Sequence, residues 1–154
     1  MTERTPRLAS TLQEDHDRLG TLFEEFRASR AASPERRAEL FRPFAAGLRA
    51  HIRFEEETAF PLYGQGDPAC DSTRTLLLDE HRRIQEVLER IEDRLAVGPA
   101  DTAALEEALL NVLWAHDARE EGQVYPWFDA HLPTPRIEEL VAVFRRLEPQ
   151  GDRD

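Results

Sequence analysis

Six residues of this 154-residue chain combine ligand chemistry with regular spacing: His16, His51, Glu55, His81, His116 and Glu120. His16 and His81 lie 65 positions apart, and so do His51 and His116, and Glu55 and Glu120. Each His-Glu pair is four residues apart, which puts both side chains on one face of a helix. Leu48, His51 and Glu55 continue an apolar stripe, as do Val112, His116 and Glu120, so these faces turn inward. His16 falls between Leu12 and Leu19, and His81 between Leu77 and Ile84, again on core stripes. Four imidazoles and two carboxylates in one apolar layer could be ordinary core histidines and stray acids. That reading leaves buried ions uncompensated, at several kcal/mol each, whereas metal ions compensate all of them together. Imidazole with bridging carboxylate suits iron or manganese, with zinc possible.

The elements that must position these groups are helices. Apolar residues recur at helical spacing along nearly the whole chain, and no segment alternates as a strand does. Ser33-Pro34 and Thr134-Pro135 each offer a capping hydroxyl before a proline at the first helical position. Gly64-Gln65-Gly66-Asp67-Pro68 and Gly98-Pro99 interrupt the pattern, and Asp71-Ser72 and Asp101 can cap the next helices. These signals predict helices near 6–30, 34–63, 72–96, 101–130 and 135–147. Short connections make neighbours antiparallel. The expected fold is all-α, an up-down-up-down four-helix bundle with a short fifth helix at the C-terminal end. One domain spans 1–154, with an internal duplication of 11–63 and 76–128. In an antiparallel bundle the six polar residues fall within about one turn of the same height.

Composition excludes several classes. The formal net charge is −11, and a nucleic-acid binder or a protein docking on anionic lipid needs the opposite sign. All 20 basic residues are arginine, so a Schiff-base or P-loop lysine is impossible. The single cysteine, Cys70, allows no disulfide within the chain and no cysteine-based zinc cluster. No apolar run approaches the ~20 residues of a membrane span, and the N-terminal stretch lacks the apolar core of a secretory signal. A cytoplasmic protein is expected. No histidine has a glutamate three positions before it, so the Glu-x-x-His of ferritin-like bundles is absent, as is His-Glu-x-x-His.

A single His followed by His-x-x-x-Glu, and the same again, resembles the hemerythrin-like (HHE cation-binding) family over residues 11 to 127. The resemblance implies that His16 and His51 ligate one iron and His81 and His116 the other. Glu55 and Glu120 would bridge the pair, with an oxo or hydroxo bridge between the ions. Oxygen-carrying hemerythrins have a further histidine one turn past the third-helix ligand, where this chain has Gln85; the matching position in the first half is Gly20. His131, fifteen residues beyond His116, is too distant to substitute. By resemblance, such a symmetric site belongs with members linked to peroxide breakdown, nitric-oxide response, repair of iron centres or iron sensing.

The expected function is non-haem di-iron chemistry on hydrogen peroxide, dioxygen or nitric oxide, catalase- or peroxidase-like. A sensor or repair module, a reversible oxygen binder and a metal-stabilised structural bundle are the alternatives. Glu56 and Glu121 sit five residues past a ligand, off the core face, and are read as solvated groups or as supports for the ligands. Phe60-Pro61 and Tyr125-Pro126 mark a kink or helix end. Tyr125 is read as a packing aromatic, with a redox role as the alternative, Cys70 as a loop cysteine, and Trp114 as pointing away from the metals.

Overall fold

Each helix starts and stops where local chemistry dictates. In the computed structural model, which describes residues 7–147, α1 spans Leu8–Arg27, α2 Pro34–Phe54, α3 Pro68–Ala96, α4 Ala103–Arg119, α5 Tyr125–His131 and α6 Thr134–Leu147. Ser33 caps α2 by accepting from the Arg36 amide at 3.2 Å, with Pro34 in the first turn. Helix α3 begins four residues earlier than the spacing predicts. Asp67 accepts from the Ala69 amide at 2.9 Å, and Pro68 fills the first helical position. Cys70 therefore lies in the first turn of α3 and not in a loop. Gly64 faces it with φ +53°, where a Cβ would meet the cysteine side chain at 2.3 Å, so only glycine fits this turn.

The helices form a bundle, and no strand occurs among the described residues. Helix α1 packs on α2, α2 on α3 and α3 on α4, whereas α1 and α4 barely meet. The fourth side closes instead through α5. Asp129 accepts from the backbone amides of Leu8 and Ala9 at 2.9 and 3.0 Å, capping α1 from 121 residues away. Helix α6 lays Ile137, Leu140, Val141 and Phe144 against that end.

Two long helices change form just before Phe60-Pro61 and Tyr125-Pro126, where the sequence signals a kink or helix end. Glu55–Ala59 and Glu120–Val124 are π-helical, and the Phe60 amide reaches back five residues to the Glu55 carbonyl at 2.7 Å. Proline explains both. Pro61 and Pro126 lack an amide hydrogen and would press on the carbonyls of Glu57 and Gly122 in a regular helix, so the turn before each one widens.

The core divides into two apolar clusters. One gathers Leu12, Phe54, Phe60, Leu77, Phe128 and Phe144 at the α6 end. The other gathers Phe23, Phe41, Phe44, Ile84, Leu88 and Leu109 at the opposite end. Between them lies a layer of buried polar side chains.

Candidate metal centre

That layer contains all six residues singled out by spacing. His16 comes from the middle of α1 and His81 from the middle of α3. His51 and His116 come from the last turns of α2 and α4, and Glu55 and Glu120 open the two π segments. Both glutamates are fully buried. His81 Nε2 lies 3.1 Å from His116 Nε2 and 3.2 Å from Glu55 Oε1, and His116 Nε2 lies 3.1 Å from Glu120 Oε1. On the other side, His51 Nε2 is 3.6 Å from Glu55 Oε2, and His16 Nε2 is 3.4 Å from Glu120 Oε1.

The donor set fits a cation. Two nitrogens sharing one ion at right angles, each about 2.1 Å from it, lie about 3 Å apart, as those of His81 and His116 do. Glu55 Oε1 and Glu120 Oε2 are buried without a hydrogen-bond partner, which is costly unless something positive lies between them. Glu55, His81, His116 and Glu120 can each turn a ligand atom into one cluster within 4.8 Å, and His16, His51 and Glu120 into a second.

The outer nitrogens are held as well. His51 Nδ1 lies 2.8 Å from Asp15 and His116 Nδ1 lies 3.2 Å from Glu80. Asp15 and Glu80 are 65 positions apart, each directly before a candidate ligand. Arg18 Nη2 pairs with Asp15 at 2.8 Å and Arg119 with Glu80 at 2.6 Å. Glu121 stands 3.3 Å from His16 Nδ1, and Glu56 stands 3.7 Å from His81 Nδ1. A carboxylate on Nδ1 keeps the proton there and turns the Nε2 lone pair inward. Glu121 thus reaches a ligand although it lies off the regular helical face, whereas Glu56 stops short of hydrogen-bond distance and leaves His81 Nδ1 without a partner. A widened turn rotates successive residues through a smaller angle, so Glu120 and Glu121 both address the bundle. Sequence reading missed Asp15 and Glu80, although the 65-residue repeat would have flagged them.

Tyr125 breaks the symmetry. Its fully buried hydroxyl donates to Glu55 Oε2 at 2.7 Å and lies 3.0 Å from Glu120 Oε1. It also lies 3.0 Å from His51 Nε2 and 3.1 Å from His16 Nε2. It is therefore more than a packing aromatic. Its counterpart 65 residues earlier is Phe60, which has no hydroxyl and stacks on His81 with ring centres 5.5 Å apart. His16 Nε2 also faces Asp117 at 3.5 Å, where the matching residue is Ile52. The two halves share ligand types but not surroundings.

Without a cation the site balances its charge with protons. Burial opposes charge on His51, yet Glu55 and Asp15 outweigh it and hold the imidazole well above its usual pKa. Burial likewise works against His116, but Glu120 and Glu55 raise it to about 9. Glu55 is held well below the carboxylate range because His51 and its hydrogen bonds overcome burial. Burial, then Glu120 and Glu55, push the Tyr125 hydroxyl well above its usual value, so it keeps its proton.

The chain matches the model of the hemerythrin HHE cation-binding domain over residues 7–149. The chain belongs to the hemerythrin HHE cation-binding family. Neither a curated protein nor a solved structure matches it significantly. An HHE domain holds metal, typically iron, and the His/Glu cluster is where this one can hold it. The residues set aside lie apart from that cluster. His131 Nδ1 sits 2.9 Å from the Trp127 carbonyl on the surface, and Trp114 is 80% exposed. Among the described residues no helix is long and apolar enough to cross a membrane.

Proposed function

We propose that the buried layer holds two iron ions and that the protein consumes hydrogen peroxide. His16 and His51 serve one position, His81 and His116 the other, and Glu55 and Glu120 span both. The reading rests on one observation: two fully buried carboxylates face four inward imidazole nitrogens with carboxylate oxygens left unpartnered. Two adjacent irons supply a centre able to exchange two electrons with a small oxidant. Disproportionation of hydrogen peroxide to water and dioxygen balances without an outside reductant.

The chain's own groups prepare the site. Asp15, Glu80 and Glu121 favour the Nδ1-protonated tautomers of His51, His116 and His16, so that each Nε2 lone pair points inward. Tyr125 holds a proton beside His16 and His51, 2.7 Å from Glu55, where its hydroxyl could donate a hydrogen bond to a small ligand in the layer. Phe60 and Phe144 wall the layer on its His81 and His51 sides.

Metal analysis with an optical spectrum of protein from iron-replete cells tests the centre, and peroxide turnover tests the reaction. About two irons per chain are expected, and His81→Ala or His16→Ala should each lose one. One zinc per chain would overturn the centre. Two irons with a long-lived reversible oxygen adduct and no peroxide consumption would favour an oxygen carrier. Inertness to both ligands would favour sensing or iron-centre repair.

A further inference from the structure

An apolar cleft of about 560 Å³ opens between α1 and α4 and runs inward to His16 and Asp117. Leu19, Phe23, Phe44, Leu48, Leu113 and Trp114 line it. It exists because α1 and α4 stand apart and because position 20 is glycine. Gly20 lies inside α1 with an ordinary backbone conformation, and a Cβ there would meet nothing within 4 Å. Neither turn geometry nor close packing requires glycine here, and glycine weakens a helix relative to alanine. Its structural consequence is open space at the mouth of the cleft.

The face related by the 65-residue repeat is built differently. Gly20 corresponds to Gln85, Trp114 to Arg49 and Arg27 to Glu92. Arg49 and Glu92 form a two-pronged ion pair across α2 and α3, with Nη1 to Oε2 at 2.9 Å. The α1/α4 face carries its own ion pairs, from Arg27 to Glu106 and Glu107 at 3.5 and 3.6 Å, but none of these three residues lines the groove, which is open and apolar and ends at a candidate ligand. The groove lies within the ~300–1,000 Å³ of small-molecule sites, far more than hydrogen peroxide fills. Asp17, Glu24 and Asp117 in its lining disfavour an anion, as does the net charge of −11.

We propose that this cleft seats the apolar body of a neutral organic hydroperoxide, with the peroxide group directed at the His16 side of the centre. The proposal extends the peroxide reading above and rests on it for the reactive head group, but not for binding of the apolar body. Reduction breaks the O–O bond and gives the alcohol and water. In a single turnover it would take up two protons from solvent and two electrons, one from each of two bound ferrous ions, leaving the centre ferric.

The test uses iron-loaded protein and two readouts. Cumyl alcohol, an unreactive product, is titrated into protein carrying Trp127→Phe, so that the remaining tryptophan, Trp114, reports on the cleft. Oxidation of the reduced protein by cumene hydroperoxide and by hydrogen peroxide is followed optically. Gly20→Ala and Gly20→Leu fill the mouth by steps, and Gln85→Leu is the control on the α2/α3 face. Saturable alcohol binding is expected, weakened about tenfold or more by Gly20→Leu, less by Gly20→Ala and not by Gln85→Leu. The cumene hydroperoxide reaction should slow in the same order, with the hydrogen peroxide reaction changed less than twofold. Absence of alcohol binding, or equal slowing of both peroxides, would overturn the cleft proposal and leave the hydrogen peroxide reading intact. Gly20-dependent alcohol binding with no reaction toward either peroxide would overturn the peroxide reading and retain the apolar binding site.

Discussion

The molecule buries glutamate at two levels, and the two neighbourhoods differ in kind. At the far end of the bundle Glu106 is 1% exposed and surrounded by fixed positive charge. Thr102 donates to it at 2.6 Å, Arg37 and Arg27 approach at 3.5 Å, and Arg30 at 3.6 Å. Arg37 is held in turn by the Ala100 carbonyl, the Thr102 hydroxyl and the Phe26 ring. At the middle level Glu55 and Glu120 are buried as deeply, yet among the described residues no arginine comes within ion-pair distance of either. Arg18 and Arg119 are spent on Asp15 and Glu80, one layer out. The chain neutralises one buried acid permanently and leaves the other pair to an exchangeable cation. Arginine stays charged at any physiological pH, whereas imidazole can give its proton up to a metal. That contrast is the physical signature of a binding site inside a core.

Exchanging the two kinds of glutamate gives the largest effects. Glu120 lies in both candidate clusters, so Glu120→Gln should reduce metal content from about two ions per chain to below one. Glu106→Gln should leave metal content unchanged and cost about 3–5 kcal/mol of stability, because Arg37 becomes a buried cation without its counter-charge. Metal analysis beside thermal melts reads both variants. Loss of metal from Glu106→Gln, or full loading of Glu120→Gln, would erase the distinction.

A pH series on metal-free protein ranks second. His116 is raised from 6.5 to about 9, mainly because Glu120 and Glu55 outweigh its burial. A raised imidazole stabilises the fold fully below its unfolded pKa and loses that contribution as pH climbs through the folded one. Metal-free protein should therefore weaken between pH 6.5 and 9 by on the order of 3 kcal/mol. Metal uptake must displace those protons, so metal affinity should rise over the same range. Chemical denaturation at several pH values checks the sign; a metal-free protein that gains stability toward pH 9 would refute the proton-filled site.

The six candidate ligands and the bundle were legible because both are periodic. A helical stripe and a 65-residue offset are visible along one chain, and polar residues on the stripe stand out. What was not legible depends on neighbours across the bundle. The π turns arise from Pro61 and Pro126, whose spacing alone signals only a kink or stop. Tyr125 looks like a packing aromatic in the sequence, and only the widened turn and the approach of α1 and α2 bring its hydroxyl among four ligand atoms. Asp15 and Glu80 were hidden for another reason: each is adjacent in sequence to one histidine but serves a different one on the next helix. The early start of α3 is a contest between two good caps, Asp67 and Asp71, which Pro68 decides.

Tyr125→Phe separates the two halves of the layer. It leaves all six candidate ligands in place, so metal content should stay near two per chain. The hydroxyl lost lies among His16, His51, Glu55 and Glu120, so the optical spectrum should change and peroxide consumption should fall. Unchanged spectrum and turnover would show that the two halves work alike despite Phe60 facing Tyr125 across the repeat.

The smallest effects belong to the outer carboxylates, and their ranking follows from burial. Loss of a partner that orients a ligand costs about 10–100-fold in metal affinity. Asp15 is 4% exposed and touches His51 at 2.8 Å, so no water can replace it without opening the core. The Glu121 side chain is 31% exposed and stands 3.3 Å from His16, where water can take over the hydrogen bond. Asp15→Asn should therefore approach the upper end of that range. An amide placed on His51 Nδ1 can present its oxygen, but it no longer carries charge to balance the imidazole. Glu121→Gln should stay at or below the lower end, and Glu56→Gln should fall lower still because its contact is longer, at 3.7 Å. Competition against a chelator of known affinity measures all three on one scale. Equal losses across the series would mean that net negative charge around the layer, and not the orientation of each histidine, sets metal affinity.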